Sequence, residues 1–361
     1  MSKISLSGNS SGTGTLTIAA PNSNTDRTLT LPDNSGTVQT QLDHGFGFRN
    51  RIINGDMRID QRNAGASVTP AIGTVAYTLD RWAFYGTQAS KLTTQQNAGS
   101  VTPPIGFTNY LGITSSSAYS VLTSDAFLFE QKIEGFNTAD LGWGTANAQS
   151  ITLSFWARSS LTGSFSGSVS NNALDRSYVF TYSIAAANTW EYKTITIPGE
   201  TSGTWLTTNG TGIWLRFNLG AGSTFATTAG SWAVGNFISA TGAVSVVGTS
   251  GATFYITGVQ LEAGSVATPF ERRPYGTELA LCQRYYELSA ARLDYQMSTS
   301  GIYNIPFFFK TTKRATPTIT FGTVYTGSPA AGTVGLDYFS ISTPAAPTHI
   351  AFGNLQVSAE L

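Results

Sequence analysis

Short segments in which apolar and polar residues alternate follow one another from about residue 46 to residue 275. They include SITLSFWARSS at 150–160, EYKTITIP at 191–198 and ATFYITGVQLEAG at 252–264, and Gly, Asn, Ser and Pro separate them. A period of two residues is typical of half-buried β-strands. Evenly spaced strands with intervening turns predict a central antiparallel jelly roll or β-sandwich over 46–275, and no alternation of strand and helix indicates a doubly wound sheet.

Residues 1–45 form a separate compositional block before this region. The segment TGTLTIAAPNSNTDRTLTLPDNSGT alternates at Leu16 and Ile18, is interrupted by turn-forming residues, and alternates again at Leu29 and Leu31. This pattern predicts a β-hairpin. Two strands alone are marginally stable in water, so we interpret the block as an N-terminal arm that attaches to another protein.

One helical pattern follows the predicted sandwich, over residues 276–289. Thr277 can cap its first turn, and Cys282 and Tyr286 lie on one apolar face together with Leu279. Further strand-like segments over 290–361 predict a small C-terminal β-sandwich. The fold class is therefore all-β, with the short α-helix linking two β-domains.

The composition argues against several classes of function. Charged residues make up only 11% of the 361 residues, and 20 basic residues balance 20 acidic ones. Nucleic-acid binding requires a basic patch, so we predict no nucleic-acid partner. One Cys and two His do not supply a disulfide framework or a zinc site. The pattern also predicts no signal peptide and no membrane insertion, because no long apolar run occurs.

Three longer motifs occur in a fixed order along the chain. They are NRIINGDMRIDQRNAG (Asn50–Gly65), YTLDRWAFY (Tyr77–Tyr85) and GVQLEAGSVATPFERRPYGTELALCQRYYE (Gly258–Glu287). Together they resemble segments of bacteriophage tail-fibre and related virion fibre proteins. TKRATPTITF (Thr312–Phe321) is similar to part of the C-terminal domain of that family, and NSNTDRTLTLPDNSGTV (residues 22–38) to a segment near the virion-attached end of phage fibres.

This resemblance implies a location and a set of partners. Members of the family are virion fibres that contact a host surface, commonly as homotrimers. The arm over 1–45 would then bind other virion proteins. The protein would be made in the host cytoplasm, reside in the virion and leave the cell by lysis.

Two segments also resemble carbohydrate-binding jelly rolls. IINGDM (Ile52–Met57) is similar to the opening segment of such modules, and FYITGVQLE (Phe254–Glu262) to their closing strand. Acidic residues just after the opening motif and in the closing strand often hold a structural calcium ion in that family. Arg58 and the Thr257–Gly258 pair occupy those places here, so we predict no metal and no cofactor.

Tryptophans are the first candidates for contact with a sugar, because aromatic faces can contact the apolar surface of a sugar ring. Trp156 and Trp214 lie within predicted strands, which favours the core for both. Trp190 and Trp205 flank strands, and Glu191 adjoins the first of them. We name Trp190, Glu191 and Trp205 as candidate ligand-binding residues, with rim aromatics of structural role as the alternative.

The LDRWAFY motif supplies two more candidates. Asp80 and Trp82 could form a polar contact beside a stacking ring. The alternative, which we favour, is a buried or edge ion pair between Asp80 and Arg81 that fixes a strand against the sandwich.

Enzymatic activity is the main rival class. Glycoside cleavage needs two carboxylates across a cleft, and the segment SDAFLFEQKIEGFNTAD contains four candidates: Asp125, Glu130, Glu134 and Asp140. Strand alternation there predicts that Glu130 and Lys132 point away from the core. Cys282 is expected to be buried and unreactive, and no nucleophile elbow or P-loop occurs.

The sequence thus predicts a non-catalytic virion tail fibre that adheres to a host-surface glycan. A structural or decorating fibre on the head, neck or baseplate without receptor binding is the main alternative, because fold alone does not assign function. A polysaccharide depolymerase is the third hypothesis.

Overall fold

Two antiparallel sheets face each other in a computed structural model of the chain. The structure describes residues 48–73, 75–290, 292–296, 304–342 and 349–361. The predicted attachment arm over 1–45 lies outside the described residues. The strands of this region are β1 (Ala76–Leu79), β2 (Trp82–Gly86), β3 (Leu92–Gln96), β4 (Leu111–Ser115), β5 (Ala126–Glu134), β6 (Ile151–Ser159), β7 (Gly163–Ser170), β8 (Arg176–Ile184), β9 (Glu191–Ile197), β10 (Thr211–Ala221), β11 (Ala226–Thr227), β12 (Trp232–Val234), β13 (Ser239–Ala240) and β14 (Thr253–Ala263).

One sheet has seven strands in the order β1-β2-β5-β10-β7-β8-β12, and the other has five in the order β3-β4-β14-β6-β9. Their inner faces form one large apolar core. Phe129 of β5 stacks on Phe217 of β10 with ring centroids 4.8 Å apart, and Phe155 of β6 meets Phe217 edge to face at 5.2 Å. The predicted all-β class and the antiparallel sandwich are confirmed for the described residues.

The α-helix α1 comprises Tyr275–Gln283. The predicted extent to residue 289 is wrong, because Tyr286–Ser289 form strand β15, which pairs with a later strand of the chain. Pro274, not Thr277, occupies the N-cap position. The burial of Cys282 is confirmed.

The C-terminal strands form three small sheets. The strands are β15 (Tyr286–Ser289), β16 (Leu293–Gln296), β17 (Asn304–Phe308), β18 (Thr318–Thr320), β19 (Thr323–Thr326), β20 (Ala330–Val334), β21 (Tyr338–Ser342), β22 (His349–Gly353) and β23 (Leu355–Ser358). The sheet orders are β15-β23-β18, β16-β22-β19 and β17-β21-β20, and all of their pairings are antiparallel. A second apolar core includes Phe339, Ile350 and Phe352.

Candidate ligand-binding groove

The LDRWAFY candidates lie in the interior. Trp82 is fully buried, packs on Phe129 at 6.0 Å between ring centroids and donates its indole N–H to the backbone oxygen of Asn54 at 3.0 Å. Asp80 is also buried and accepts hydrogen bonds from the backbone and side chain of Gln61 at 2.6 and 2.7 Å. The prediction that Asp80 and Trp82 contact a ligand is therefore wrong.

The predicted ion pair between Asp80 and Arg81 is also wrong. Arg81 is buried and pairs with Glu360, near the C-terminal end of the chain. Burial raises the pKa of Asp80 to about 6, and the hydrogen bonds from Gln61 oppose that rise. The turn between β1 and β2 thus joins the sandwich to the C-terminal segment.

The motifs that carry the virion-fibre resemblance meet in this buried region, which we call the junction: Asn50, Asn54, Trp82, Glu278 and Tyr285. Within it, Asn54 donates its backbone N–H to the Glu278 carboxylate, and Asn50 donates its side-chain amide to the backbone oxygen of Val259 at 3.1 Å. Tyr285 donates to Glu134 at 2.7 Å. These contacts hold elements of the fold together, which gives these five residues a structural role.

Trp190 and Glu191 also have structural partners. The Trp190 indole donates to the backbone oxygen of Thr102 at 2.9 Å, and its ring meets Tyr110 edge to face at 5.6 Å. Glu191 accepts from two backbone N–H groups, those of residues 185 and 186, and pairs with Lys193 at 2.5 Å. Both side chains are half-buried.

Trp205 belongs to a cluster of three tryptophans. Its ring centroid lies 4.6 Å from that of Trp143 and 5.6 Å from that of Trp232, with both pairs edge to face. Each indole N–H in the cluster donates to a backbone oxygen. The cluster packs against the main core, which favours a structural role for Trp205.

The aromatic residues that face outward are different ones. On β9, Tyr192 is 45% exposed, whereas its neighbours Glu191 and Lys193 point to the other face of the strand. Tyr192 is the cross-strand partner of Trp156 on β6, and their ring centroids are 5.3 Å apart. The prediction that Trp156 is a core residue is wrong, because Phe155 and Ala157 take the inward positions and leave Trp156 half-buried on the outer face.

Trp214 shows the same error on the other sheet. It is half-buried on the outer face of β10, while Ile213 and Leu215 fill the core. Strand alternation alone, applied residue by residue, would have placed Trp156, Tyr192 and Trp214 on outer faces.

A second aromatic pair stands opposite Trp156 and Tyr192. Phe107 and Phe270 meet edge to face at 5.2 Å, and the exposed guanidinium of Arg272 lies over the Phe107 ring at 4.7 Å. Gly258 of β14 separates the two pairs. A Cβ there would lie 2.6 Å from Phe107 and 3.2 Å from Trp156, so only glycine allows the rings to approach over the sheet.

The rings enclose an open groove of about 490 Å³, which we call the aromatic groove. Ser154 and Thr268 also line it, with the Thr268 hydroxyl donating to Glu262 at 2.6 Å, and Arg272 contributes a cation. Such a surface can contact the C–H face of a sugar ring while the Arg272 guanidinium bonds to its substituents. Its described lining is Phe107, Ser154, Trp156, Tyr192, Gly258, Ala267, Thr268, Pro269, Phe270 and Arg272.

Three of the four candidate acids have structural partners. Asp125 accepts hydrogen bonds from Tyr119, Leu122 and Thr87. Glu134 binds Arg284 and Tyr285. Asp140 pairs with Arg51 at 2.6 Å.

Glu130 differs from the other three acids. It lies on the outer face of β5, as strand alternation predicts, but it is buried there, and burial raises its pKa to about 7.

The buried Cys282 thiol is not suited to nucleophilic chemistry. Burial raises its pKa well above the ordinary value, so the reactive thiolate is disfavoured. Within the described residues, no group of three or more His, Cys, Asp or Glu side chains is placed to hold a metal ion. The same part of the chain contains no helix long and apolar enough to cross a membrane.

Comparison with known proteins gives matches only among solved structures, since no family model and no curated protein matches the chain. An enzymatically active domain of tailspike protein 4 from bacteriophage CBA120 aligns at 13% identity and a TM-score of 0.31. The alignment covers 51% of this chain and 19% of the tailspike domain. The chain therefore spans about a fifth of that domain.

Carbohydrate-binding modules align over more of their own length. A CBM4 structure matches at 14% identity and a TM-score of 0.32, over 58% of this chain and 98% of the module. A family 11 module from Clostridium thermocellum, solved with a β-1,3-1,4-mixed-linked tetrasaccharide, matches at 13% identity and a TM-score of 0.28, over 55% and 100%. Matches at these TM-scores carry no argument about ligand or assembly.

Proposed function

We propose that this protein is a bacteriophage virion fibre that adheres to a host-surface glycan through the aromatic groove, without cleaving it. The observation that carries the proposal is the pairing of Trp156 with the exposed Tyr192 on an outer sheet face, opposite Phe107 and Phe270. Large aromatic side chains are stabilised most when they are buried away from water. Four of them around an open groove therefore indicate a binding surface. A ligand with apolar ring faces suits such a surface.

The polar groups of the groove favour a hydroxyl-rich or acidic saccharide. Arg272 is exposed and forms no salt bridge within the described residues, so its guanidinium is available to a hydroxyl or carboxylate of a ligand. Ser154 lines the groove beside the ring pair, and its cross-strand partner on β9 is Thr194. The groove is open at the surface, which suits a polymer that lies along the sheet.

The lining of the groove argues against hydrolysis. Both retaining and inverting glycosidases generally use two carboxyl groups that flank the scissile bond. The described groove lining contains none. Adhesion is therefore the activity that the geometry supports.

The virion location rests on the sequence motifs. A homotrimer, which the resemblance implies, would present three grooves. Once one groove has bound the host surface, binding of the second and third would be intramolecular, which raises the avidity. Attachment to other virion proteins is assigned to the arm over 1–45, and release to host lysis.

The structural or decorating fibre is the second candidate. It is favoured by the buried junction, where residues of all three motifs that resemble virion fibres make structural contacts, although the third motif also supplies Gly258, Phe270 and Arg272 to the groove. Glycan binding by the groove distinguishes the two.

The test is binding of the purified full chain to immobilised host polysaccharides, comparing wild type with Trp156→Ala and Tyr192→Ala. We expect each substitution to weaken binding at least about tenfold, or about 1.4 kcal/mol. Phe136→Ala is the matched control, because Phe136 is 60% exposed and is not part of the groove. Equal binding by all four proteins would exclude the groove, and no binding by folded wild type would favour the structural fibre.

A further inference from the structure

A second, more enclosed cavity lies on the outer face of the seven-stranded sheet. It has a volume of about 240 Å³, and we call it the Glu130 pocket. Strands β5 and β10 form its floor, and Phe225, Asn236 and Ile238 from the segment that follows β10 form part of its wall. This space exceeds the roughly 30 Å³ of liquid volume per water molecule several times over.

Glu130 has an unusual position in this pocket. The residue is only 2% exposed, and its Oε1 atom is buried without a hydrogen-bond partner among the described residues. A buried carboxyl oxygen without a partner is costly, because its hydration is lost and nothing replaces it. Natural proteins rarely leave such a group unless a ligand, an ion or water completes it.

The indole of Trp214 provides a complementary group. Its Nε1–H lines the same pocket and is likewise buried without an acceptor among the described residues. Trp214 and Arg216 lie on one face of β10, and Arg216 is the cross-strand partner of Glu130. The pocket therefore contains an unused acceptor and an unused donor on adjacent strands.

The cations near Glu130 have other partners. Arg216 donates to the hydroxyl groups of Ser168 and Ser170 and to the oxygens of Asn236 and Phe237. Lys132 lies over the Trp214 ring at 4.2 Å. Neither forms a salt bridge with Glu130. Burial raises the pKa of Glu130 to about 7, so its carboxyl group is largely neutral below that pH, and both cations are already engaged, so a neutral ligand suits the pocket best.

We propose that the Glu130 pocket binds a small neutral polyhydroxy compound, of the size of one sugar ring, which donates to Glu130 and accepts from Trp214. A hydroxyl group can donate and accept at once, and neighbouring hydroxyls on one ring can satisfy both protein groups. Tyr85, Leu128 and Ile238 would contact its C–H surface. Most drug-sized ligands need about 300–1,000 Å³, so a cavity of 240 Å³ suits a single ring rather than a chain.

This inference does not depend on the aromatic groove, which lies on the other sheet. The experiment records the seven tryptophan indole N–H signals of the ¹⁵N-labelled full chain by NMR while D-glucose, D-galactose or N-acetyl-D-glucosamine is added. Trp214→Phe identifies the Trp214 signal. We expect at least one of these sugars to shift that signal, with saturation, because the free indole N–H gains an acceptor.

Glu130→Ala should weaken this response at least about tenfold, and Glu130→Gln should restore part of it, because an amide oxygen still accepts a hydrogen bond. Unchanged signals of the other six indoles show that each variant is folded. Trp156→Ala is the independent control and should leave the Trp214 response intact even if it abolishes groove binding. The proposal is overturned if none of the sugars moves the Trp214 signal, or if Glu130→Ala responds as wild type does.

Discussion

The buried position of Glu130 makes the stability of the fold depend on pH. Burial raises its pKa from 4.5 to about 7, although Lys132 and Arg216 act in the opposite direction. Between those pH values the folded chain holds a proton that the unfolded chain has released. The free energy of unfolding therefore falls as pH rises through this window, and the stabilising contribution of the proton on Glu130 is lost above pH 7.

Glu130→Gln should flatten this dependence. We expect the free energy of unfolding of the variant, relative to wild type, to rise by about 1 kcal/mol from pH 6 to pH 8, out of about 3 kcal/mol over the whole range from pH 4.5 upward. Urea titrations at several pH values measure it. Asp80, whose raised pKa is about 6, contributes mainly below this range and does so in both proteins. Parallel pH profiles would contradict the assignment of a protonated Glu130.

At the scale of single residues, strand alternation predicted which face of a sheet a side chain lies on, but not whether that face is buried. It placed Glu130 on the outer face, but could not show that Phe225 and Ile238 from a distant segment cover that face. Trp82 follows Asp80 and Arg81 directly in the sequence, yet each of the three side chains has a different partner in the fold. Asp80 and Arg81 form the turn between β1 and β2, and Arg81 has a φ of 69°. Side chains diverge at such a turn, so proximity in sequence is a poor guide to a shared site.

At the scale of elements, the bulge in β14 shapes the aromatic groove. The register with β6 shifts between Thr257 and Gln260, and Gly258 lies there with φ +63°. Positive φ costs other residues about 1–2 kcal/mol, and a Cβ would also collide with Phe107. The glycine therefore serves both the bulge and the groove.

Gly258→Ala should destabilise the chain by about 2–4 kcal/mol, the sum of backbone strain and the displaced ring. Gly251→Ala is the matched control, since its φ is +75° but nothing lies within 4 Å of the added Cβ. It should cost only the strain. Thermal unfolding of both variants gives the comparison, and equal losses would show that Phe107 does not press on Gly258.

The helix illustrates why element boundaries were harder to predict than element types. Its existence followed from the apolar residues near Cys282, but its end did not, because Tyr285 and Tyr286 suit a helix face and a strand equally. The strand pairing of Tyr286–Ser289 with Leu355–Ser358 decides the outcome. That partner lies about seventy residues away and leaves no local signal.

At the scale of the whole molecule, the chain between Gln41 and Leu361 forms one unit. Glu360 supports that unity, because it pairs with Arg81 of the sandwich and with Arg62 at 2.6 Å. The sequence predicted two β-domains with the helix as a rigid joint. It could not predict that residues near position 360 pack against the turn between β1 and β2.

Glu360→Ala should destabilise the chain by about 3–5 kcal/mol, because it leaves the buried Arg81 guanidinium without its counter-charge. Calorimetry should show one cooperative transition for wild type and a lower, broader or divided transition for the variant. Asp294→Ala is the control, since Asp294 pairs with Arg292 and His349 on the exposed surface and its loss should change little. An unchanged transition in Glu360→Ala would contradict a stabilising role for the Arg81–Glu360 pair.

The most direct measurement is competition for adsorption. Purified full chain is added in excess to host cells before the proposed parent phage, and free phage is counted. We expect wild type and Phe136→Ala to block adsorption, whereas a folded Trp156→Ala/Tyr192→Ala variant does not. Blocking that survives the double substitution, or no blocking by folded wild type, would contradict a glycan-binding groove.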